Sequence, residues 1–252
     1  MSGRGRLQAA ALLAAAVALF VLTPPLPQWP AYHDFADRRA WLGVPNFLDV
    51  ASNALFALAG LAGLLALARA YGPGAARHAP ERLPYLLFFA AAVLLAPASG
   101  CYHLAPDNAG LAWDRAAMAL LFSAYLGALA AERFAGGTRL LPWLVAAGLA
   151  SVAWWSWSEA RGLGDLRPWL LFQAVALLAL PYLCWRHPAR RRDAHAPLVV
   201  AWLYTLALLL DLADRQVFAL TGGVVSGHSL KHGVAALAIY RVALHVRRRG
   251  PP

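Results

Sequence analysis

Lysine is almost missing from this chain: Lys231 is the only one among 22 basic residues, so arginine carries the positive charge. Charged residues of either sign are scarce, 13% against 61% hydrophobic, and mean hydropathy is +0.54. That balance excludes a soluble globule with a single core, because so much apolar surface cannot be hidden without lipid. Cysteine is scarce too. Cys101 and Cys184 stand inside apolar runs with no metal-type spacing, which excludes a disulfide framework and a cysteine-ligated zinc module. They read as packing residues. The net charge of +10 could point to nucleic acid, but the arginines sit at the ends of apolar runs and form no stripe with interleaved aromatics. No nucleic-acid partner is expected. The preference for arginine, with abundant alanine, suggests a GC-rich bacterial coding source.

What the chain does have is long apolar runs. A bilayer core of about 30 Å needs roughly 20 apolar residues per helix. Eight runs of that kind, bounded by proline, glycine or arginine, fall near 7–23, 46–70, 83–104, 111–133, 139–158, 168–185, 197–219 and 226–246. They are continuous, whereas barrel strands would show short alternating segments, so the expected class is an all-α integral membrane protein. Short connections predict a single bundle with neighbours antiparallel and no second domain. The first run follows Arg4 and Arg6 and could be a signal peptide, but it leads into Thr23-Pro24-Pro25-Leu26-Pro27 with no small-x-small cleavage site. A retained anchoring helix is expected.

Basic residues near helix ends stay cytoplasmic. One set of alternate loops holds Arg4, Arg6, Arg69, Arg77, Arg82, Arg133, Arg139, Arg186, Arg190, Arg191, Arg192, Arg247, Arg248 and Arg249, fourteen in all. The opposite set holds Arg38, Arg39, Arg161 and Arg167, with Arg115 and Arg215 close to helix ends. Both termini are therefore predicted to be cytoplasmic, and the loops near 24–45, 105–110, 159–167 and 220–225 to lie outside. In a bacterium that is the inner membrane with these loops periplasmic.

Ionisable groups inside membrane helices are expensive, so each is a functional candidate until a partner explains it. Ser99 and His103 lie four apart at the end of the third run, on one helical face. Asp114 enters the next run just after a short turn, and His228 and His232 are again four apart at the start of the last run. The arginine count puts all five at one depth on one side. Three imidazoles suit zinc, and a fourth position left to water is the pattern of a catalytic site. Asp114 could accept the proton of an attacking water, and Ser99 could donate to a developing oxyanion. Each residue alone has a plainer reading: an interhelical hydrogen bonder, a small packing residue, or an ion pair of Asp114 with Arg115. The convergence of five favours a site. Asp49, Ser52, Asn53, Asp211 and Asp214 read as interhelical hydrogen-bond partners, and Lys231 as a group supporting the histidines or facing substrate. Trp154, Trp155 and Trp157 read as an interfacial belt. His33, His78, His187, His195 and His245 are expected away from the cluster.

The segment Ser99-Gly100-Cys101-Tyr102-His103-Leu104-Ala105-Pro106-Asp107-Asn108, continued by Trp113-Asp114-Arg115-Ala116-Ala117-Met118 and joined by Ser226-Gly227-His228-Ser229-Leu230-Lys231-His232, resembles the alkaline ceramidase family. That family belongs to a superfamily of seven-helix membrane hydrolases that includes the adiponectin and progestin receptors. The resemblance spans about 46–246. It implies a seven-transmembrane-helix domain over 46–246, preceded by one extra apolar helix and a loop within 1–45 and followed by a basic tail at 247–252. It further implies His103, His228 and His232 as zinc ligands and Ser99 and Asp114 as catalytic residues. The activity implied is zinc-dependent hydrolysis of the N-acyl amide of ceramide or a related membrane lipid, giving a fatty acid and a long-chain amine. A non-enzymatic receptor or sensor of the same superfamily is the alternative. Animal members also carry a calcium site before the core. The matching positions here are Asp34, Asp37 and Asn46, with fewer acids than the family pattern, and Ca2+ is implied only as an additional ion.

Overall fold

The computed structural model describes residues 18, 20–72, 79–188 and 195–248. Among these the chain is helical, with no strand beyond one bridge between Trp41 and Val44. Nine α-helices are described: α1 (Phe47–Ala51), α2 (Ala54–Ala70), α3 (Arg82–Leu104), α4 (Asn108–Arg133), α5 (Leu141–Ala160), α6 (Arg167–Arg186), α7 (Ala196–Leu212), α8 (Asp214–Leu220) and α9 (Gly227–Arg247). Of the first apolar run, only residues 18 and 20–23 fall within the described part, and 18 and 20–22 are helical. The rest of that run, with Arg4, Arg6, Arg77, His78, Arg190–192 and Arg249, lies outside the described residues.

Local chemistry sets the helix ends. Pro142, Pro168 and Pro197 stand in the first turns of α5, α6 and α7, where a missing N–H breaks no helical bond. Asp107 caps α4 by accepting from the Gly110 N–H at 2.6 Å, and Ser226 caps α9 by accepting from the Ser229 N–H at 3.0 Å. Both caps set the entry of a helix that carries a candidate site residue in its first two turns.

Five helical segments are long and apolar enough to cross a membrane: Phe47–Ala70, Arg82–Leu104, Asn108–Arg133, Gly137–Ala160 and Arg167–Arg186. A sixth exists if α7 and α8 form one span, which is bent by 79° at Ala213. A straight helix over 197–219 was expected; the bend instead turns Asp214 inward, where its two carboxylate oxygens accept from the His228 and Ala36 N–H groups, each at 2.8 Å. With 21 residues α9 is about 32 Å long, but His228, Lys231, His232, Arg241 and His245 make it the most polar of the long helices. The set of long apolar helices is compatible with an integral membrane protein.

Helix packing follows a ring. α2 packs on α3, α3 on α4, α4 on α6, α6 on α7, α7 on α9, and α9 returns to α2, while α5 lies outside against α4. Close approach relies on small residues: a Cβ at Gly60 would stand 2.9 Å from the Phe89 carbonyl oxygen and 3.0 Å from Val93 N, so α2 and α3 meet there at backbone distance. Because α9 closes the ring between α2 and α7, its first two turns face α3 at one end of the bundle.

Candidate metal centre

His103, in the last turn of α3, and His228 and His232, on one face of α9, come together at that end of the bundle. All three are buried. Their nearest ligand atoms lie within 4.8 Å of one another, and among the described residues this is the one group of three or more histidine, cysteine, aspartate or glutamate side chains so gathered. The Nε2 atoms of His103 and His228 are 3.3 Å apart. With Zn–N bonds of about 2.0–2.1 Å, two nitrogens of a tetrahedral site stand about 3.3–3.4 Å apart. The pair therefore already spans one edge of such a site.

The hydrogen bonds behind the rings assign the tautomers. His228 Nδ1 lies 2.8 Å from Asp211 Oδ1, so it carries the proton and donates it to the carboxylate. His232 Nδ1 lies 2.8 Å from the Ser52 hydroxyl, which itself donates to the Asp49 carbonyl at 3.1 Å and so accepts from His232. In both rings Nε2 keeps its lone pair for a cation, the arrangement by which partners behind metal-binding histidines fix ring orientation. His103 Nδ1 is buried without a hydrogen-bond partner among the described residues, and its backbone carbonyl accepts from the Asn46 amide at 2.9 Å. Three buried imidazoles with their ligand atoms gathered this closely suit a zinc-type cation.

Around this group the polar residues of α1, α2, α7 and α9 interlock. Asp49 accepts from the hydroxyls of Ser226 at 3.1 Å and Ser229 at 2.6 Å, tying α1 to the start of α9. Asp211 also accepts from Lys231 at 3.1 Å. Asp49, Ser52, Asp211 and Asp214 are thus interhelical partners, as their sequence positions suggest. Asn53 is not: its amide bonds the carbonyls of Asp49 and Val50 in its own helical segment. Phe35 covers the centre, its ring 4.8 Å from His103 and 4.6 Å from His228, and Phe56 flanks His232 at 5.4 Å.

Ser99 and Asp114 flank the centre from α3 and α4. The Ser99 side chain interacts with the Asp114 carboxylate, and both open into a cavity of about 760 Å³ that His232, Lys231 and Asp211 also line. Away from these groups the cavity runs through the ring between apolar side chains such as Phe88, Leu95, Phe122, Leu177 and Ile239. The lining is that of a chain-accepting pocket that reaches the histidine group at His232.

Several expectations are corrected. Arg115 does not pair with Asp114; it turns to Gln28 Oε1 at 2.8 Å and lies 4.1 Å over the Trp155 ring. Trp155 is accordingly fully buried and no part of an interfacial belt, whereas Trp154 and Trp157 do reach the surface. His33 stands beside the site and not away from it, bonding the Tyr102 hydroxyl and the Asn108 side-chain oxygen, each at 3.0 Å. Cys101 is exposed and Cys184 half-buried, so neither is a core packing residue. The residues weighed for calcium have partners within the chain. Asp34 pairs with Arg38 and Arg215, and Asn46 with the His103 carbonyl. Asp37 pairs with Arg39 at 2.7 Å, and these hydrogen bonds hold its carboxyl below the usual carboxylate range.

Gln28, Tyr32 and Phe35 are site residues that sequence reasoning missed. They lie in the 24–46 segment, where Trp29, Tyr32 and Phe35 form an aromatic series in a polar stretch, the one available signal that this loop folds inward.

No family model matches the chain, and no curated protein matches it. Fold and site alone therefore define the class: an all-helical, membrane-compatible bundle with a buried three-histidine group able to hold a metal ion.

One glycine is critical to that group. A Cβ on Gly227 would lie 2.2 Å from the Leu210 carbonyl oxygen and 2.8 Å from Asp214 Cα, both backbone atoms. Gly227→Ala must push α9 from the bend, taking His228 with it. The expected result is a lower melting temperature, in keeping with overpacking costs of about 1–3 kcal/mol, and a reduced metal content. Wild-type values for both would show that the bend does not position His228.

Proposed function

We propose that this chain is a zinc-dependent membrane amidohydrolase that cleaves the N-acyl bond of ceramide or a related lipid amide, with His103, His228 and His232 as metal ligands. The observation that carries the reading is the cavity: Ser99, Asp114 and His232 line it together with a few other polar groups, and most of its lining is apolar and fits an acyl chain. A purely structural metal would need no such approach. Ser99 and Asp114 in its lining likewise favour turnover over a receptor role.

Zinc held by the three imidazoles would supply an acidified water and polarise the amide carbonyl. Asp114 accepts the proton of the attacking water and returns it to the departing amine. Ser99 donates a hydrogen bond to the amide oxygen as negative charge builds on it. Phe35 excludes bulk water from one side of the histidines, and Asp211 and Ser52 hold two of the rings in the ligand tautomer. The products are a fatty acid and a long-chain amine. Incubating the purified protein with fluorescent N-acyl lipids tests this: released fatty acid is expected, and its absence from zinc-replete protein would contradict the reading.

In this reading Phe47–Ala70, α3, α4, Gly137–Ala160, α6, the bent α7–α8 pair and α9 are the seven spans, and the metal end faces away from the cytoplasm of a bacterial inner membrane. The arginine asymmetry supports that sidedness. A reporter active only outside the cytoplasm is expected to work when fused after Gly222 and to be silent after Pro252. The reverse pattern would move the site to the cytoplasmic face.

A further inference from the structure

The cavity holds a second cation whose charge the metal centre does not use. Arg115 is 5% exposed and lines the cavity from the position next to Asp114. One side of its guanidinium is fixed: it donates to Gln28 Oε1 at 2.8 Å and stacks 4.1 Å over Trp155, with the Tyr32 and Trp169 rings at 5.5 and 5.9 Å. Its Nη1 is buried with no hydrogen-bond partner among the described residues. None of the ion pairs among the described residues includes it.

A buried guanidinium without a carboxylate is costly, and removing one partner of such a pair is among the most destabilising changes known. Arginine at a membrane interface normally extends its head to water. Arg115 does neither: it is desolvated, clamped on aromatic faces and short of one acceptor. Lys231, the other cation of the cavity, differs, because Asp211 already compensates it at 3.1 Å. Asp114 interacts with Ser99 and, although next to Arg115 in sequence, forms no ion pair with it among the described residues. What is missing from the cavity is therefore an anionic oxygen opposite Arg115. Planar guanidinium groups match carboxylates, phosphates and sulfonates through two parallel hydrogen bonds.

We propose that Arg115 is the headgroup-binding residue of the cavity and that the lipid amide cleaved here carries an anionic oxygen group close to its amide. This rests on the amidohydrolase reading and, among the lipid amides it covers, favours acidic ones over neutral ceramide. The acyl chain occupies the apolar cavity, the amide meets Ser99 and Asp114, and the acidic group of the amine portion faces Arg115. The occupant is a lipid and not a free anion, because the apolar length of the cavity is continuous with the arginine.

The test compares binding of N-oleoylglycine and N-oleoylethanolamine, which share chain and amide and differ in one carboxylate, to the full-length zinc-loaded protein in detergent. The wild type is expected to bind the acidic lipid at least about tenfold more tightly, the factor of a single charge-assisted hydrogen bond. Arg115→Gln is expected to bring the two affinities together with zinc content unchanged, and Arg115→Lys to keep part of the preference. Equal binding of the two lipids by the wild type would overturn the proposal without needing any variant. So would an Arg115→Gln protein that retains the preference, or N-acetylglycine binding as tightly as N-oleoylglycine, which would make the site one for a free anion. Hydrolysis is read separately. If the acidic lipid binds preferentially yet neither lipid is cleaved, the amidohydrolase reading fails while the headgroup site stands.

Discussion

His103→Ala, His228→Ala and His232→Ala are each expected to purify with most of their zinc lost and with no measurable amide hydrolysis, while the unaltered protein carries about one equivalent. Loss of one imidazole leaves two nitrogen ligands and a buried hole, and two ligands do not hold zinc against dilution. The three variants are not equivalent in what else they disturb. His228 and His232 tie α9 to Asp211 and Ser52, so their loss also loosens α9 against α7 and α2. The His103 ring makes no such tie, since its Nδ1 has no hydrogen-bond partner among the described residues. His103→Ala is therefore the cleanest of the three, expected to lose metal with the smallest change in thermal stability of the metal-free protein. Elemental analysis of matched preparations checks this, and a His103→Ala protein with full zinc would remove His103 from the ligand set.

Asp114→Asn is expected to keep its zinc and lose about 10²–10⁴-fold in turnover, the usual contribution of a positioned general base. The three imidazoles gather without help from Asp114: the group of mutually close ligand atoms contains only histidines among the described residues. The asparagine keeps the shape of the side chain and its contact with Ser99 but cannot take a proton. Metal content and turnover thus separate in this variant and fall together in the histidine variants. If Asp114→Asn lost the metal, Asp114 would be a fourth ligand and the site closed, which is the pattern of a structural metal. Unchanged zinc with unchanged turnover would send the proton elsewhere, with Asp107 at the cap of α4 the first residue to examine.

The helices and the metal-type group were legible in the sequence for the same reason: membrane helices announce themselves as long apolar runs, and polar residues within them stand out. Six of the eight runs reappear within a few residues as described helices, and the S-x-x-x-H and H-x-x-x-H spacings place side chains on one helical face whatever the tertiary fold. That His103 meets His228 and His232 depends on α9 closing the ring between α2 and α7, which spacing alone does not encode. The seventh run was read as a straight helix because apolar composition continues across Ala213. The bend there serves Asp214, whose partners at His228 and Ala36 are remote in sequence. The inward course of residues 24–46 was least legible. This segment lacks periodicity, and its contribution comes from single side chains, Gln28, Tyr32 and Phe35, packed on residues far along the chain. Trp155 and Arg115 were misread together, because a tryptophan near a helix end is usually interfacial and an arginine beside an aspartate usually pairs with it. Here the two stack on each other.

X-ray absorption at the zinc edge of the purified protein is the most direct test of the three-histidine centre. The expected spectrum shows about four nitrogen or oxygen neighbours near 2.0–2.1 Å with the multiple-scattering pattern of three imidazoles. A sulfur shell near 2.3 Å, a single imidazole, or no zinc in carefully prepared protein would contradict the centre and the hydrolytic function built on it.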